Sequence, residues 1–241
     1  MSRLWVKICA NTSVEDAQHA IRSGADAVGF VFAAESKRRV TPALVAEITP
    51  HLPGDAEKIG VFVEQGVDEI VEIVRLAGLS GVQLHAPDAR LAIENATLLR
   101  DRLRGNVPRL RIVQVLHFST ENREMFKVML ARIAKNDVID AVLIDSRVLG
   151  ASGGTGIAFD WQAAQEAIRR ADSRLRIVVA GGLTPANVRG AVLTFTPWGV
   201  DVASGVEASA GKKDQAKVES FIVNARGPEV DAGKTMEAAK A

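Results

Sequence analysis

Eight short apolar runs, rich in valine and isoleucine, recur along this chain, and a longer segment with helical spacing follows each of them. Runs of this length that are apolar on both faces are typical of strands buried inside a parallel sheet. Segments with apolar residues at i, i+3 and i+4 predict helices that cover such a sheet. The predicted strands span residues 4–9, 26–33, 58–63, 79–85, 110–117, 138–145, 175–181 and 198–204.

The number of repeated units favours one closed barrel. The clearest predicted helices span residues 13–23, 41–51, 67–77, 89–104 and 159–171. The pairs Thr41-Pro42 and Thr184-Pro185 each predict a helix with the proline in its first position. A doubly wound open sheet also alternates strands and helices, but it usually has about five or six strands. Eight units fit the α/β class as a single (β/α)₈ TIM barrel. We expect the barrel domain to occupy residues 1–226, and residues 227–241, which lose the apolar pattern, to form a flexible C-terminal tail.

Charge and composition narrow the class of ligand. The chain has 241 residues, with 30 basic and 29 acidic side chains. This balance gives no electrostatic reason to expect a nucleic-acid partner, and no apolar run is long enough to predict a membrane span. The first residues lack the pattern of a secretion signal, so we expect a cytoplasmic protein with a small-molecule ligand. A single cysteine excludes an internal disulfide and a multi-cysteine metal site, and we expect no metal.

Two residues at strand ends are candidates for proton transfer. The loops that follow the strands of such a barrel meet at one mouth, where function collects. Cys9 ends the first strand and is either a buried small side chain or a general base, for which Lys7 could lower the thiol pKa. Asp145 ends the sixth strand and is either a loop residue or a general acid. An acid facing a base across the mouth suits proton transfer.

Three glycine clusters late in the chain are candidates for binding a phosphate. Glycine lets the backbone come close to an anion and point N–H groups at it, although the same residues also make tight turns. The loops after strands seven and eight are where barrels of this kind place a phosphate. The residues predicted to bind it are Gly154, Gly156, Gly181, Gly182, Ser204 and Gly205.

Two further side chains at strand ends are candidates for contact with a ligand. Arg38 lies in a basic group and is either a solvated loop residue or the partner of a substrate carboxylate. His85 either lines the pocket, donates to a sugar hydroxyl or is a structural histidine at a strand end. The sequence leaves these alternatives open.

With these residues, the chain from residue 6 to about residue 221 resembles the phosphoribosylanthranilate isomerase family. Each motif alone is weak, but their order and spacing together are specific. The motifs are Lys7-Ile8-Cys9, Gly24-Ala25-Asp26 with Gly29-Phe30, Ser36-Lys37-Arg38, Gly60-Val61-Phe62-Val63, Gln83-Leu84-His85, Asp145 with Gly153-Gly154-Thr155-Gly156 and Phe159-Asp160-Trp161, Ala180-Gly181-Gly182-Leu183, and Gly199-Val200-Asp201-Val202 with Ser204-Gly205-Val206-Glu207.

The resemblance implies a barrel of the ribulose-phosphate-binding type and an Amadori rearrangement of N-(5′-phosphoribosyl)anthranilate in tryptophan biosynthesis, without a cofactor. By position, Asp145 resembles the general acid that opens the furanose ring, and Cys9 resembles the base that takes the C2′ proton. Arg38 resembles the contact of the anthranilate carboxylate, and the glycines resemble the phosphate site. The resemblance is compatible with a monomer or a homodimer.

Three alanines depart from the pattern of the family. Ala10 and Ala86 stand where members usually have glycine, and Ala203 stands where they commonly have serine. An alanine forced to a positive φ is strained, so activity could be weaker or shifted. A barrel that binds a sugar phosphate without catalysis is therefore an alternative. The isomerase of histidine biosynthesis, on the same type of barrel, is a weaker one because Cys9 stands where it would prefer aspartate.

Overall fold

A computed structural model describes residues 3–86, 88–118, 122–145, 165–166 and 175–227. Within them, eight parallel strands pair in chain order, and the eighth pairs with the first, which closes a barrel. This confirms the predicted fold and excludes an open sheet. The strands are β1 (Trp5–Ile8), β2 (Ala27–Val31), β3 (Glu57–Phe62), β4 (Gly81–His85), β5 (Arg111–His117), β6 (Ala141–Asp145), β7 (Arg176–Ala180) and β8 (Gly199–Val202).

Helices cover the outside of the barrel, and several begin at the residue that the sequence predicts. Ser13 and Thr41 cap their helices with side-chain oxygens that accept a backbone N–H from the first turn. The helices are α1 (Val14–Arg22), α2 (Pro42–Ile48), α3 (Val67–Leu76), α4 (Ala89–Leu103), α5 (Arg123–Ala134), α6 (Val188–Phe195) and α7 (Gln215–Arg226). Of the predicted helix over residues 159–171, only the helical residues 165–166 are described.

One predicted helix start is wrong. The pair Thr184-Pro185 suggests a helix that begins at the proline, but α6 begins at Val188. The side chain of Asn187 accepts the N–H of Thr184 at 2.8 Å and donates to the carbonyl of Gly182 at 3.0 Å. These bonds hold residues 185–187 as a turn, so the helix starts three residues later than expected.

The strands alternate between two apolar layers. Outward side chains such as Val28 and Phe30 pack under the helices, and inward side chains such as Ile59 and Val113 fill the barrel. At the amino-terminal end, the ring of Trp5 stacks on Trp198 with centroids 5.0 Å apart. These indoles fill the amino-terminal end of the barrel, so space for a ligand remains at the carboxyl ends of the strands.

The segment after β8 adds a short antiparallel pair, β9 (Glu207–Ser209) and β10 (Lys212–Lys213), before α7. Gly227 follows α7 with a φ of +71°. The tail predicted over residues 227–241 lies, apart from Gly227, outside the described residues. In the described part of the chain, every helix is too short or too polar to span a bilayer.

Candidate active site

A cavity of about 220 Å³ opens at the carboxyl ends of the strands. Its lining includes every described residue that the sequence proposes for the site: Cys9, Arg38, His85, Asp145, Gly181, Gly182, Ser204 and Gly205. Gly154 and Gly156 lie outside the described residues. Residues far apart in the chain thus meet in one cavity, as parallel strands of a barrel require.

The period of two along a strand explains which side chains reach the cavity. In β6, Ala141 and Leu143 point into the barrel, so Asp145, two residues further on, also points inward at the mouth. The same step places Cys9 above Trp5 and Lys7 on the first strand. Asp145 is only 9% exposed. The candidate acid and the candidate base therefore line the same cavity, and both are largely buried.

Cys9 is held closely by its surroundings. Its N–H donates to the carbonyl of Val202 at 2.7 Å, and the residue is 6% exposed. Burial raises the pKa of the Cys9 thiol above its ordinary value, although the charge of Lys7 acts in the opposite direction. Lys7 thus has the effect expected from the sequence, but burial outweighs it. The net rise in the pKa of Cys9 departs from the lowered pKa that the sequence suggested.

Lys7 belongs to a buried polar cluster with Gln83 and Asp201, two residues that the sequence analysis quoted only as parts of motifs. The ammonium of Lys7 donates to Gln83 Oε1 and to Asp201 Oδ1, both at 3.0 Å. Burial lowers the pKa of Lys7, but Asp201 and Cys9 together raise it above its ordinary value. One signal was present in the sequence: each of the three is a polar residue at an inward position of an otherwise apolar strand.

The carboxylate of Glu207, a residue that the sequence analysis named only as part of a motif, holds the guanidinium of Arg38 in place. Its Nε donates to Glu207 Oε1 and its Nη2 to Glu207 Oε2, both at 2.7 Å. Lys213 Nζ lies 3.4 Å from Glu207 Oε1. Burial raises the pKa of Glu207, but Arg38 and Lys213 outweigh it, and the pKa is lowered. With one edge of the guanidinium held by Glu207, Nη1 is the nitrogen that this carboxylate does not engage.

Glycines make one wall of the cavity from two adjacent loops. Gly181 and Gly182, directly after β7, have φ values of +86° and +63°, a region that favours glycine. Gly205, after β8, packs so closely on the first loop that a Cβ there would overlap the carbonyl oxygen of Leu183. The backbone of this wall can therefore come close to an anionic ligand, as a phosphate site requires.

Sequence comparison decides the family. A protein-family model described as N-(5′phosphoribosyl)anthranilate (PRA) isomerase matches residues 6–224. The N-(5′-phosphoribosyl)anthranilate isomerase of Bacillus cereus (strain Q1) is 37% identical over 222 residues, which are 92% of this chain and 97% of that protein. This chain belongs to the PRA isomerase family. The resemblance inferred from the sequence is confirmed.

Solved structures of PRA isomerases have the same fold. The phosphoribosyl anthranilate isomerase of Thermotoga maritima is 34% identical, with a TM-score of 0.76, and the match covers 93% of this chain and 100% of that one. A crystal structure of a phosphoribosyl anthranilate isomerase in complex with reduced 1-(o-carboxyphenylamino)-1-deoxyribulose 5-phosphate is 33% identical with a TM-score of 0.73, and the match covers 93% of this chain and 100% of that one. The family is one of enzymes.

The structure shows the backbone conformation at two of the alanines that depart from the PRA isomerase pattern, Ala10 and Ala86. Ala10 has a φ of +63° and is fully buried, so the strain expected for an alanine at this position is present. Asn11 secures the turn, because its Nδ2 donates to the carbonyl of Ile8 at 2.8 Å. Ala86 has no positive φ, and the strain expected there is absent.

Proposed function

We propose that this chain catalyses the Amadori rearrangement of N-(5′-phosphoribosyl)anthranilate to 1-(2-carboxyphenylamino)-1-deoxyribulose 5-phosphate in tryptophan biosynthesis. The observation that carries the proposal is that Cys9 and Asp145 line one cavity whose wall is built from glycine loops. Membership of the PRA isomerase family supports the reaction. A family member bound to a reduced form of the product supports the class of ligand.

Asp145 and Cys9 supply the proton transfers. Protonation of the furanose ring oxygen by Asp145 breaks the bond between C1′ and that oxygen and leaves a protonated Schiff base with the anthranilate nitrogen. The Cys9 thiolate then removes the C2′ proton, and the released electron pair forms the C1′=C2′ bond of a neutral enolamine. Transfer of a proton from the 2′-hydroxyl to C1′ completes the amino-ketone. One proton enters and one leaves, so the two groups suffice for the charge balance.

The remaining residues of the cavity bind the substrate. Backbone N–H groups of Gly181, Gly182 and Gly205, with the Ser204 hydroxyl, suit the phosphate, because N–H donors preorganised around an anion need little further ordering. We also assign Gly154 and Gly156 to the phosphate, by their resemblance to the family motif. Arg38 suits the anthranilate carboxylate, since its guanidinium reaches the cavity while Glu207 holds its other edge. His85 at the mouth suits a sugar hydroxyl.

The test is turnover of chemically generated phosphoribosylanthranilate, followed as loss of its fluorescence. Cys9→Ala and Asp145→Asn should each lower kcat about 100-fold or more, because each removes a general base or acid. Asp101→Asn is the control for charge, since Asp101 is an exposed carboxylate on α4 whose partner Arg104 is also exposed. It should leave kcat unchanged. Near-normal kcat in a folded Cys9→Ala or Asp145→Asn variant would refute the assignment.

The strained turn at Ala10 favours a second candidate function, a barrel that binds a sugar phosphate without turnover. The unmodified chain separates the two. Binding of the reduced product analogue together with no loss of substrate fluorescence would favour the non-catalytic barrel. Turnover of phosphoribosylanthranilate excludes it.

A further inference from the structure

The most unusual charged group in the described part of the chain is Lys7, which is completely buried inside the barrel. Lysine is almost never fully buried unless it is paired. The pairing here is with Asp201 on the neighbouring strand β8, which is its register partner in the sheet, and with Gln83 from β4. These partners, which both line the cavity, fix the position of the ammonium.

Lys7 and Cys9 occupy the same small space above one glycine. They are two residues apart on the same inward face, and a Cβ at Gly29 would lie 2.7 Å from Cys9 Sγ and 3.0 Å from Lys7 Cε. Any side chain at position 29 would therefore displace one or both. The absence of a side chain there lets the thiol settle beside the lysine.

Other charged and titratable groups face Cys9 from the elements around it. Asp201 lies on the neighbouring strand β8. Lys213 and Arg38 also act on Cys9 electrostatically, and each of them contacts Glu207. Asp145 and His85 line the far side of the cavity. Lys7 is the cation that shares the space of the thiol, and Asp201 is the anion that holds Lys7 in place.

We propose that Lys7 is a positioning residue for Cys9: its ammonium, held by Asp201 and Gln83, stabilises the thiolate form of that cysteine. The proposal deepens the proposed function, on which its catalytic meaning rests. Lys7 and Asp201 should have opposite effects on the ionisation of Cys9. A cation favours the thiolate and an anion disfavours it. In agreement, Lys7 acts to lower the pKa of Cys9, and Asp201 acts to raise it.

The chain offers a direct readout, because Cys9 is its single cysteine. The rate of alkylation by iodoacetamide, measured across pH, follows the thiolate and needs no turnover. Lys7→Met should move the midpoint of this curve up by about one pH unit or more, and Asp201→Asn should move it down. Lys135→Met removes an exposed lysine after α5 and should leave the midpoint unchanged.

Because Lys7→Met alone leaves Asp201 buried without its cation, the double variant Lys7→Met/Asp201→Asn is included. It differs from Asp201→Asn only by the loss of the ammonium, so its midpoint should lie about one pH unit or more above that of Asp201→Asn. Equal midpoints in these two proteins would overturn the proposal. A shift of Lys7→Met and Asp201→Asn in the same direction would also overturn it, since general loosening of the site acts alike in both.

Turnover gives a second and separable readout. If the proposed function holds, the rising limb of kcat against pH should move with the alkylation midpoint in each variant, with KM for phosphoribosylanthranilate little changed. If the chain does not turn this substrate over, the alkylation shifts still test the role of Lys7. Failure of the proposed function and failure of this inference are therefore distinguishable.

Discussion

Gly205→Ala would force a methyl group into the loop after β7, and we expect it to open the glycine wall of the cavity. The added Cβ would overlap the carbonyl oxygen of Leu183, and it would lie 2.9 Å from the carbonyl carbon of Leu183 and 3.2 Å from Thr184 Cα. All three are backbone atoms, so no side chain can rotate away. Overpacking typically costs about 1–3 kcal/mol, and a clash with backbone belongs at the upper end, about 3 kcal/mol.

Two other glycines isolate the effect of this contact. Gly182→Ala meets no atom within 4 Å but has a φ of +63°. Left-handed strain of about 1–2 kcal/mol, offset by about 0.4–1 kcal/mol from a less flexible unfolded chain, leaves a loss of about 1 kcal/mol. Gly190 lies inside α6 with open space around it, so Gly190→Ala should stabilise the protein by about 0.5–1 kcal/mol through helix propensity.

Thermal unfolding followed by tryptophan fluorescence provides the measurement. For a domain of this size, about 1 kcal/mol corresponds to about 2–4 °C in Tm. We therefore expect Gly190→Ala to unfold above the parent protein, Gly182→Ala about 2–4 °C below it and Gly205→Ala about 6–12 °C below it. KM for phosphoribosylanthranilate should rise most in Gly205→Ala. A Tm for Gly205→Ala equal to that of Gly182→Ala would show that the two loops do not pack as described.

Two further variants test the two ends of the barrel. Glu207→Gln removes the charged partner of Arg38 and should raise KM for phosphoribosylanthranilate about tenfold and cost about 2 kcal/mol of stability, measured by steady-state kinetics and urea unfolding. An unchanged KM would argue against this support of Arg38. Trp198→Ala removes the stack on Trp5 and the cation–π contacts of Arg111 and Arg176, and it should lower the stability by about 3 kcal/mol. It should leave the alkylation of Cys9 unaltered, because the indole lies at the opposite end.

The order and number of strands could be predicted because each buried strand is apolar on both faces. The exact ends could not, because apolar residues outside the ladder also enter the core. The strand predicted over residues 26–33 is apolar from Ala27 onwards, yet β2 ends at Val31, and Phe32 is buried without belonging to a strand. Hydrophobicity reports burial, whereas a strand end depends on where pairing stops.

A residue of the candidate site could be predicted when its own position in the sequence was enough to identify it. Cys9 and Asp145 stand at strand ends, and the rule that the strand ends of a barrel meet at one mouth is enough to bring them together. The roles of Glu207 and Asp201 could not be predicted, because each role depends on a partner that lies far away in the sequence. Lys7 and Asp201 are 194 residues apart in the chain, and Arg38 and Glu207 are 169 apart. Spacing along the sequence carries no signal for such pairs.

The level of the barrel at which Lys7 lies also argues for a role beyond stability. An apolar layer that includes Trp5, Ala27 and Ile59 fills the barrel interior next to Lys7. A buried ion pair gains little over well-packed apolar side chains, because desolvation of both charges offsets their attraction. Stability alone therefore does not explain a lysine and an aspartate between that apolar layer and the cavity. Their position directly under Cys9 does, since a buried thiol needs a nearby cation to ionise.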